Sequence, residues 1–389
     1  MKLGFYYHVP IIKQNRKNFL IPAYLGVFID EIAKNVEELY MFAHENTHSN
    51  EIGNSYILKS KNIVWINLGK KKSFIHRSIW GKSLLKKFKV EASLCDIILV
   101  RSPSPLAPYF YSCFNTKTKI SYLVVGDYLI GQKYLKVNLF KKLVSWIFTK
   151  VNEKQQNNAI KNCLTFVNSK LLYQKYKDKC LRLVEVKTTT LFEKDFFYRK
   201  DTCEKPIIQL LYTGRLDMAK GFSELLSACK LLSDDNLDFV LNIVGWEDNI
   251  LTPVENYIKS RSEALGIKDK IVLHGKKEAG PELNKMYKMA DIYVLPSYHE
   301  GFPRTIWEAM ANCLPVISTN VGSIPFFLNN DEHAILIESK QTIELYEAII
   351  RMLNNNKLRR LLIKNAFNYA QNITLEKQTP KIIENLNSI

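Results

Sequence analysis

Short apolar runs alternate along this chain with stretches whose apolar residues recur at helical spacing. In the second half the runs fall at 207–212, 239–244, 271–274, 292–296 and 315–319. Between them the spacing predicts helices over 221–232, 251–266, 281–289 and 304–311. Four to six apolar residues ending at a glycine, proline or serine read as strands buried on both faces, and their alternation with helices reads as βαβ units around a parallel sheet. The first half repeats the scheme with strands expected at 2–8, 39–43, 63–68, 97–100, 120–125 and 164–167. Helices are expected there at 22–34, 105–114, 133–150 and 169–178. The pattern predicts an α/β protein of two Rossmann-like parallel-sheet domains facing across a cleft, residues 1–190 and 205–371. A polar linker is expected near 193–205, and a C-terminal helix at about 372–389 is expected to pack back on the first domain. In such sheets ligands sit at the carboxyl ends of strands.

Composition narrows the class. The chain has 389 residues and is 47% hydrophobic, enough for two cores and too apolar for disorder. No run of 18 or more apolar residues occurs, so no membrane span is expected. The opening residues Met1 to His8 are too short and too tyrosine-rich for a signal-peptide core and read as a first strand. The seven cysteines are dispersed without a CxxC pair, which predicts a reducing compartment and no structural zinc. The net charge of +17 is unevenly placed: residues 1–204 carry 34 Lys and Arg against 16 Asp and Glu, while residues 205–389 carry 21 against 22. A basic first half suits a membrane surface, a lipid diphosphate or a nucleic acid, or is a Lys-rich solvated face. No recognised nucleic-acid-binding motif is present, so nucleic acid is not expected as a partner.

The strongest chemical signal is Glu300-Gly301-Phe302-Pro303-Arg304-Thr305-Ile306-Trp307-Glu308-Ala309-Met310-Ala311, after the strand ending at Pro296-Ser297. Two carboxylates stand eight residues apart, one in a loop and one a turn into a helix. Gly301 permits close backbone approach and Pro303 suits a helix start. The free amides there favour a diphosphate, and the carboxylates accept hydrogen bonds from sugar hydroxyls. A second signal, Gly214-Arg215-Leu216-Asp217-Met218-Ala219-Lys220-Gly221, puts two cations on a turn after a strand. Together they would offset charge developing on a departing nucleoside diphosphate. No Asp-x-Asp pair occurs, so no metal held by that motif is expected.

These segments, with Pro315-Val316-Ile317-Ser318-Thr319-Asn320-Val321-Gly322-Ser323, resemble the retaining glycosyltransferases of family 4, which have the GT-B fold. The resemblance runs in order from about 207 to 330. It implies donor contacts from Gly214, Arg215, Lys220, His274, Gly275, Lys276, Glu300, Gly301, Phe302, Pro303, Thr305 and Glu308. Arg215 and Lys220 would hold the diphosphate, Glu300 and the amides of 301–303 the transferred sugar, Glu308 the ribose, and 274–276 the nucleobase. Arg215, Lys220, Glu300 and Asp127 would be catalytic, with no metal or cofactor beyond the UDP- or GDP-linked sugar. Acceptor contacts are expected from His8, Arg101 and Asp127. The region after the first strand, 8–13, lacks the family's glycines, and Asp127 stands where members often carry a histidine.

The reading that follows is a retaining, metal-independent hexosyltransferase. It would move sugar from a nucleoside-diphosphate sugar to a saccharide or polyprenyl-diphosphate-linked acceptor in bacterial surface polysaccharide synthesis, such as capsule or lipopolysaccharide O-antigen. The alternatives are a non-catalytic partner of another glycosyltransferase and a nucleotide-sugar epimerase. Two basic amphipathic stretches, 70–89 and 134–150, combine lysines with Trp80, Trp146 and Phe148. The first reads as a helix at a membrane interface and the second as a helix facing the core with a Lys-rich outer face. The place expected is the cytoplasm, on the inner face of the cytoplasmic membrane.

Overall fold

The computed structural model describes residues 1–13, 18–46, 56–127, 139–247, 251–278, 280–301 and 303–389. It divides into two units, Met1–Thr188 with Glu376–Ile389, and Thr189–Leu375.

In the first unit the strands are β1 (Lys2–Tyr6), β2 (Ile12–Lys13), β3 (Phe19–Ile21), β4 (Glu38–Glu45), β5 (Tyr56–Ile57), β6 (Ile63–Lys70), β7 (Ile97–Ser102), β8 (Lys119–Val124), β9 (Leu164–Val167) and β10 (Arg182–Glu185). Among the described residues seven form a parallel sheet in the order β10-β9-β8-β7-β1-β4-β6. Every residue of β7 and β9 is buried, as helices on both faces of a parallel sheet require. Tyr6, Phe42 and Phe110 meet in ring contacts at the centre of one face. The chain steps outward from β1 to β6, returns to lay β7 on the other side of β1, and continues to β10. The switch point therefore lies between β1 and β7. Strands β2, β3 and β5 form a small antiparallel sheet that the apolar pattern did not reveal.

In the second unit the strands are β11 (Ile208–Thr213), β12 (Phe239–Val244), β13 (Ile271–Leu273), β14 (Ile292–Leu295), β15 (Val316–Thr319) and β16 (Ile335–Ile337). Their order is β13-β12-β11-β14-β15-β16, all parallel. The switch point here lies between β11 and β14. Helices Phe222–Asp234, Pro253–Ala264, Pro281–Met289 and Arg304–Ala311 fall where helical spacing puts them. The edge strands β10 and β16 are not anticipated by the apolar pattern.

The stretch near 193–205 is not a linker. Asp201 is buried, and Arg359 Nε reaches it at 2.6 Å and Arg360 Nε at 2.7 Å. Arg199 donates to the carbonyls of Tyr287, Lys288 and Ala290. Asp201 and Arg199 are thus hydrogen-bonding groups of the second unit, which polarity alone could not distinguish from a solvated tether. The final helix, Leu375–Asn387, ties to the first unit through Gln378 Oε1, which accepts from Lys187 N at 2.8 Å, and Asn385 Oδ1, which accepts from Arg182 at 2.7 Å.

The first basic stretch folds as helix Phe74–Lys86, capped by Ser73. Arg77, Gly81 and Leu85 turn inward, while Ile79 and Trp80 are 54% and 59% exposed. Residues 134–138 of the second stretch lie outside the described residues. The rest belongs to helix Leu139–Ile160, which also leaves Leu143, Trp146 and Ile147 exposed.

Candidate active site

The second unit gathers its motif residues at the carboxyl ends of β11 and β14, where outward and return loops part and leave a crevice. Glycines make the close fit possible. Gly221 has φ +74°, and a Cβ there would lie 2.0 Å from the Pro296 carbonyl oxygen. The turn after β11 and the loop after β14 therefore touch backbone to backbone, and Tyr298 N donates to Ala219 O at 2.8 Å. Gly322, with φ +60°, presses on the Glu300 carbonyl oxygen; a Cβ would lie 1.7 Å from it. Only glycine fits either position. Asp217 supports the turn by accepting from Ala219 N at 2.9 Å.

Within this frame Lys220 Nζ meets Glu300 Oε1 at 2.6 Å, and Ser297 Oγ donates to the same oxygen at 2.7 Å. The carboxylate is buried and the ammonium half-buried. Glu300 and Arg215 both act on the buried Tyr212 phenol, whose hydroxyl donates to Arg215 O at 2.9 Å and whose pKa burial pushes up. Arg215 is exposed on the turn. A Cβ on Gly301 would meet no described atom within 4 Å beyond its chain neighbours. Phe302 lies outside the described residues.

Glu308 sits one turn into helix Arg304–Ala311, after Pro303 and Thr305. Its Oε1 accepts from Thr190 Oγ1 at 3.0 Å and its Oε2 from Tyr287 OH at 2.8 Å. Burial raises its pKa, opposed by those hydrogen bonds and the Arg304 charge. Tyr287 OH also lies 2.7 Å from Thr213 Oγ1, and Tyr293 OH donates to Thr213 O at 3.3 Å. A hydrogen-bond chain thus runs from the last residue of β11 to Glu308. Thr190, Thr213, Tyr287, Tyr293 and Ser297 carry this arrangement and were not singled out from the sequence. Tyr287 and Tyr293 offered only their place in an apolar pattern.

His274, Gly275 and Lys276 stand further along the sheet, after β13. His274 Nε2 is 2.8 Å from Asn242 Oδ1, and burial, then Lys277, lowers its pKa. Gly275 has φ +65° and accepts from Gly245 N at 2.9 Å. Lys276 lies 5.5 Å over the Trp246 ring and pairs with Glu278. Among the described residues, no hydrogen bond or ion pair joins these three to the Lys220–Glu300 pair.

In the first unit, His8 and Arg101 meet through Tyr7 beside the β1/β7 switch point. The Arg101 guanidinium lies 4.7 Å over the Tyr7 ring, and the Tyr7 and His8 ring centroids are 4.3 Å apart. Asp127 follows β8 and belongs to another group: Lys175 bridges it, at 2.7 Å, to Glu153. Among the described residues no group of three or more His, Cys, Asp or Glu side chains is placed to hold a metal ion. Nor is any helix there long and apolar enough to cross a membrane.

Against known proteins, residues 195–369 match the family model Glycosyl transferases group 1. A D-inositol 3-phosphate glycosyltransferase of Corynebacterium diphtheriae is 27% identical over 175 residues, 44% of this chain and 40% of the relative. The chain spans about half or less of the curated relatives it first matches, 43%, 40% and 55% of their lengths. Among solved structures, Anabaena HepE in complex with UDP is 14% identical with a TM-score of 0.74 over all of both chains. WaaG, a glycosyltransferase involved in lipopolysaccharide biosynthesis, is 13% identical with a TM-score of 0.66 over 98% of each chain. At these identities the likeness shows a shared fold, GT-B.

Proposed function

We propose that the chain, whose residues 195–369 match the Glycosyl transferases group 1 model, is a retaining hexosyltransferase using a nucleoside-diphosphate sugar, UDP- or GDP-linked. The observation that carries the reading is the Lys220–Glu300 pair at the β11/β14 switch point, with Arg215 on the same turn. A diphosphate entering the crevice would take Lys220 from Glu300 and release that carboxylate to accept from sugar hydroxyls. The bond from the anomeric carbon to the β-phosphate oxygen breaks. The acceptor oxygen bonds to the same face of that carbon, and its proton passes to the departing phosphate. Lys220 and Arg215 offset the charge that develops, the work a metal ion would otherwise do. Glu308, fixed by Tyr287 and Thr190, would accept from the ribose hydroxyls; Pro303 and Thr305 shape the wall beside it, and 274–276 the base end.

The acceptor, a saccharide or a polyprenyl-diphosphate-linked glycan of a bacterial surface polysaccharide, would meet the first unit at His8 and Arg101, while Asp127 is held apart by Lys175. The role of WaaG in lipopolysaccharide biosynthesis supports this acceptor class. The exposed Trp80, Ile79, Trp146 and Ile147 among lysines support contact with the inner face of the cytoplasmic membrane. The test is transfer of radiolabelled sugar from a panel of UDP- and GDP-sugars to lipid-linked and free oligosaccharide acceptors. Label should reach at least one acceptor with its anomeric configuration kept. Product of inverted configuration, or no transfer by a folded protein that binds neither nucleotide, would overturn the reading.

A further inference from the structure

The first unit carries a second basic centre that the donor chemistry does not use. At the carboxyl edge of its sheet, four adjacent strands, β7, β1, β4 and β6, deliver Arg101, His8, His44 and the segment leading to Lys71 and Arg77. Arg101 is 8% exposed and Arg77 7%. Among the described residues, the Nε of Arg101, and both Nε and one terminal nitrogen of Arg77, have no hydrogen-bond partner. The same holds for His8 Nδ1 and His44 Nε2. His44 Nδ1 is occupied, 3.1 Å from Gly69 O. These groups share one field. His8 is driven down to about 3 by burial first, then by Lys71, Arg77, Arg101 and His44. His44 is driven down to about 4 by burial, with Arg77 and Lys71 adding to it.

A buried guanidinium left without acceptors is costly, and this chain avoids the cost elsewhere. Arg359, equally buried, is given both oxygens of Asp201 and two carbonyls. Arg101 is held instead by faces, 4.7 Å over Tyr7 and 5.6 Å over Phe28, an arrangement that grips the plane and spends none of its donors. Unsatisfied buried donors that converge from several elements point to a partner with several acceptors. A tetrahedral phosphate has three oxygens for such a fork and a charge that matches two guanidinium groups.

Building on the assignment of the acceptor to this unit, we propose that Arg77 and Arg101, with His8 and His44 in the same field, bind a phosphate group of the acceptor. The enzyme would then select phosphorylated or diphosphate-linked acceptors over neutral glycans. The phosphate would anchor the acceptor while its hydroxyl reacts.

Calorimetry with inorganic phosphate on the full chain tests this, using Arg77→Met, Arg101→Met and Lys220→Met. Each arginine variant should weaken phosphate binding ten- to a hundredfold, the span of a charge-assisted hydrogen bond. Lys220→Met should leave the binding event that the arginine variants weaken within about twofold, whatever it removes at the donor site. Thermal unfolding supplies the control. Removing an unpaired buried cation should leave the melting temperature unchanged or raised. Phosphate affinity unchanged in both arginine variants, or lost in Lys220→Met alone, overturns the proposal. So does a melting temperature lowered in both arginine variants with phosphate affinity intact, the mark of a structural role. Glucose 6-phosphate and farnesyl diphosphate, compared in the same assay, tell a soluble sugar phosphate from a lipid-linked diphosphate as the source. Nucleotide binding reports on the donor reading separately. It should follow Lys220 and ignore Arg77 and Arg101, so either reading can fail alone.

Discussion

Lys220→Met is the sharpest perturbation of the donor site, because it separates stability from binding. The side chain keeps its length, so the stem packing survives. What disappears is a cation 2.6 Å from Glu300 Oε1, leaving that buried carboxylate with Ser297 Oγ at 2.7 Å as its remaining close side-chain partner. Breaking a fully buried pair costs about 3–5 kcal/mol. Lys220 retains 20% of its side-chain exposure, so water returns part of the loss and about 2 kcal/mol is expected. For a unit of this size that is a fall of about 4–8 °C in melting temperature. Adding Glu300→Gln should recover most of it, with a coupling of about 1 kcal/mol or more in a double-mutant cycle. Nucleoside diphosphate binding should behave oppositely. It should weaken by about ten- to a hundredfold in Lys220→Met and stay weak in the double variant, because the ligand has lost its own cation. Denaturant unfolding gives the first quantity and calorimetric titration with UDP and GDP the second. If Lys220→Met binds both nucleotides as tightly as the parent chain, the crevice between β11 and β14 is not the diphosphate site. If the double variant regains no stability, the pair is not the contact described.

Gly322→Ala must find room for a Cβ 1.7 Å from the Glu300 carbonyl oxygen and adopt φ +60°; it should cost about 2 kcal/mol or more and displace Glu300, read as joint loss of denaturation midpoint and nucleotide affinity. Tyr287→Phe removes the 2.8 Å bond to Glu308 Oε2; it should raise the KM for donor while lowering stability by about 1 kcal/mol, and an unchanged KM would free Glu308 from ribose contact. His44 is buried with its pKa lowered to about 4, so the unfolded chain takes up its proton first as pH falls. Its contribution is complete above the unfolded pKa near 6.5 and is lost between there and about 4, roughly 2 kcal/mol at pH 5. His44→Gln should flatten stability against pH over that window. Trp80→Ser with Ile79→Ser should reduce flotation with anionic vesicles several-fold at low salt without moving the melting temperature, since both side chains are more than half exposed.

The sequence by itself determined the elements and the neighbourhood of the donor site. Parallel strands covered on both faces must be nearly continuous apolar runs, and β7, β9, β14 and β15 announce themselves as such. Gly221 and Gly322 stand in motifs because their positive φ and near-zero clearance admit no other residue. What only the tertiary structure decided is which polar groups pair. Tyr287 reaches Glu308 from a helix 21 residues away, Asp201 meets Arg359 from 158 residues away, and Asp127 is committed to Lys175 rather than set beside His8. Polar side chains carry no periodicity that tells a solvated surface from an interior network. Arg77 and Arg101 show this most clearly. They are ordinary basic residues in a basic half until the fold buries them with nitrogens that find no hydrogen-bond partner among the described residues. A missing partner is a property of three-dimensional packing, and no local pattern records it.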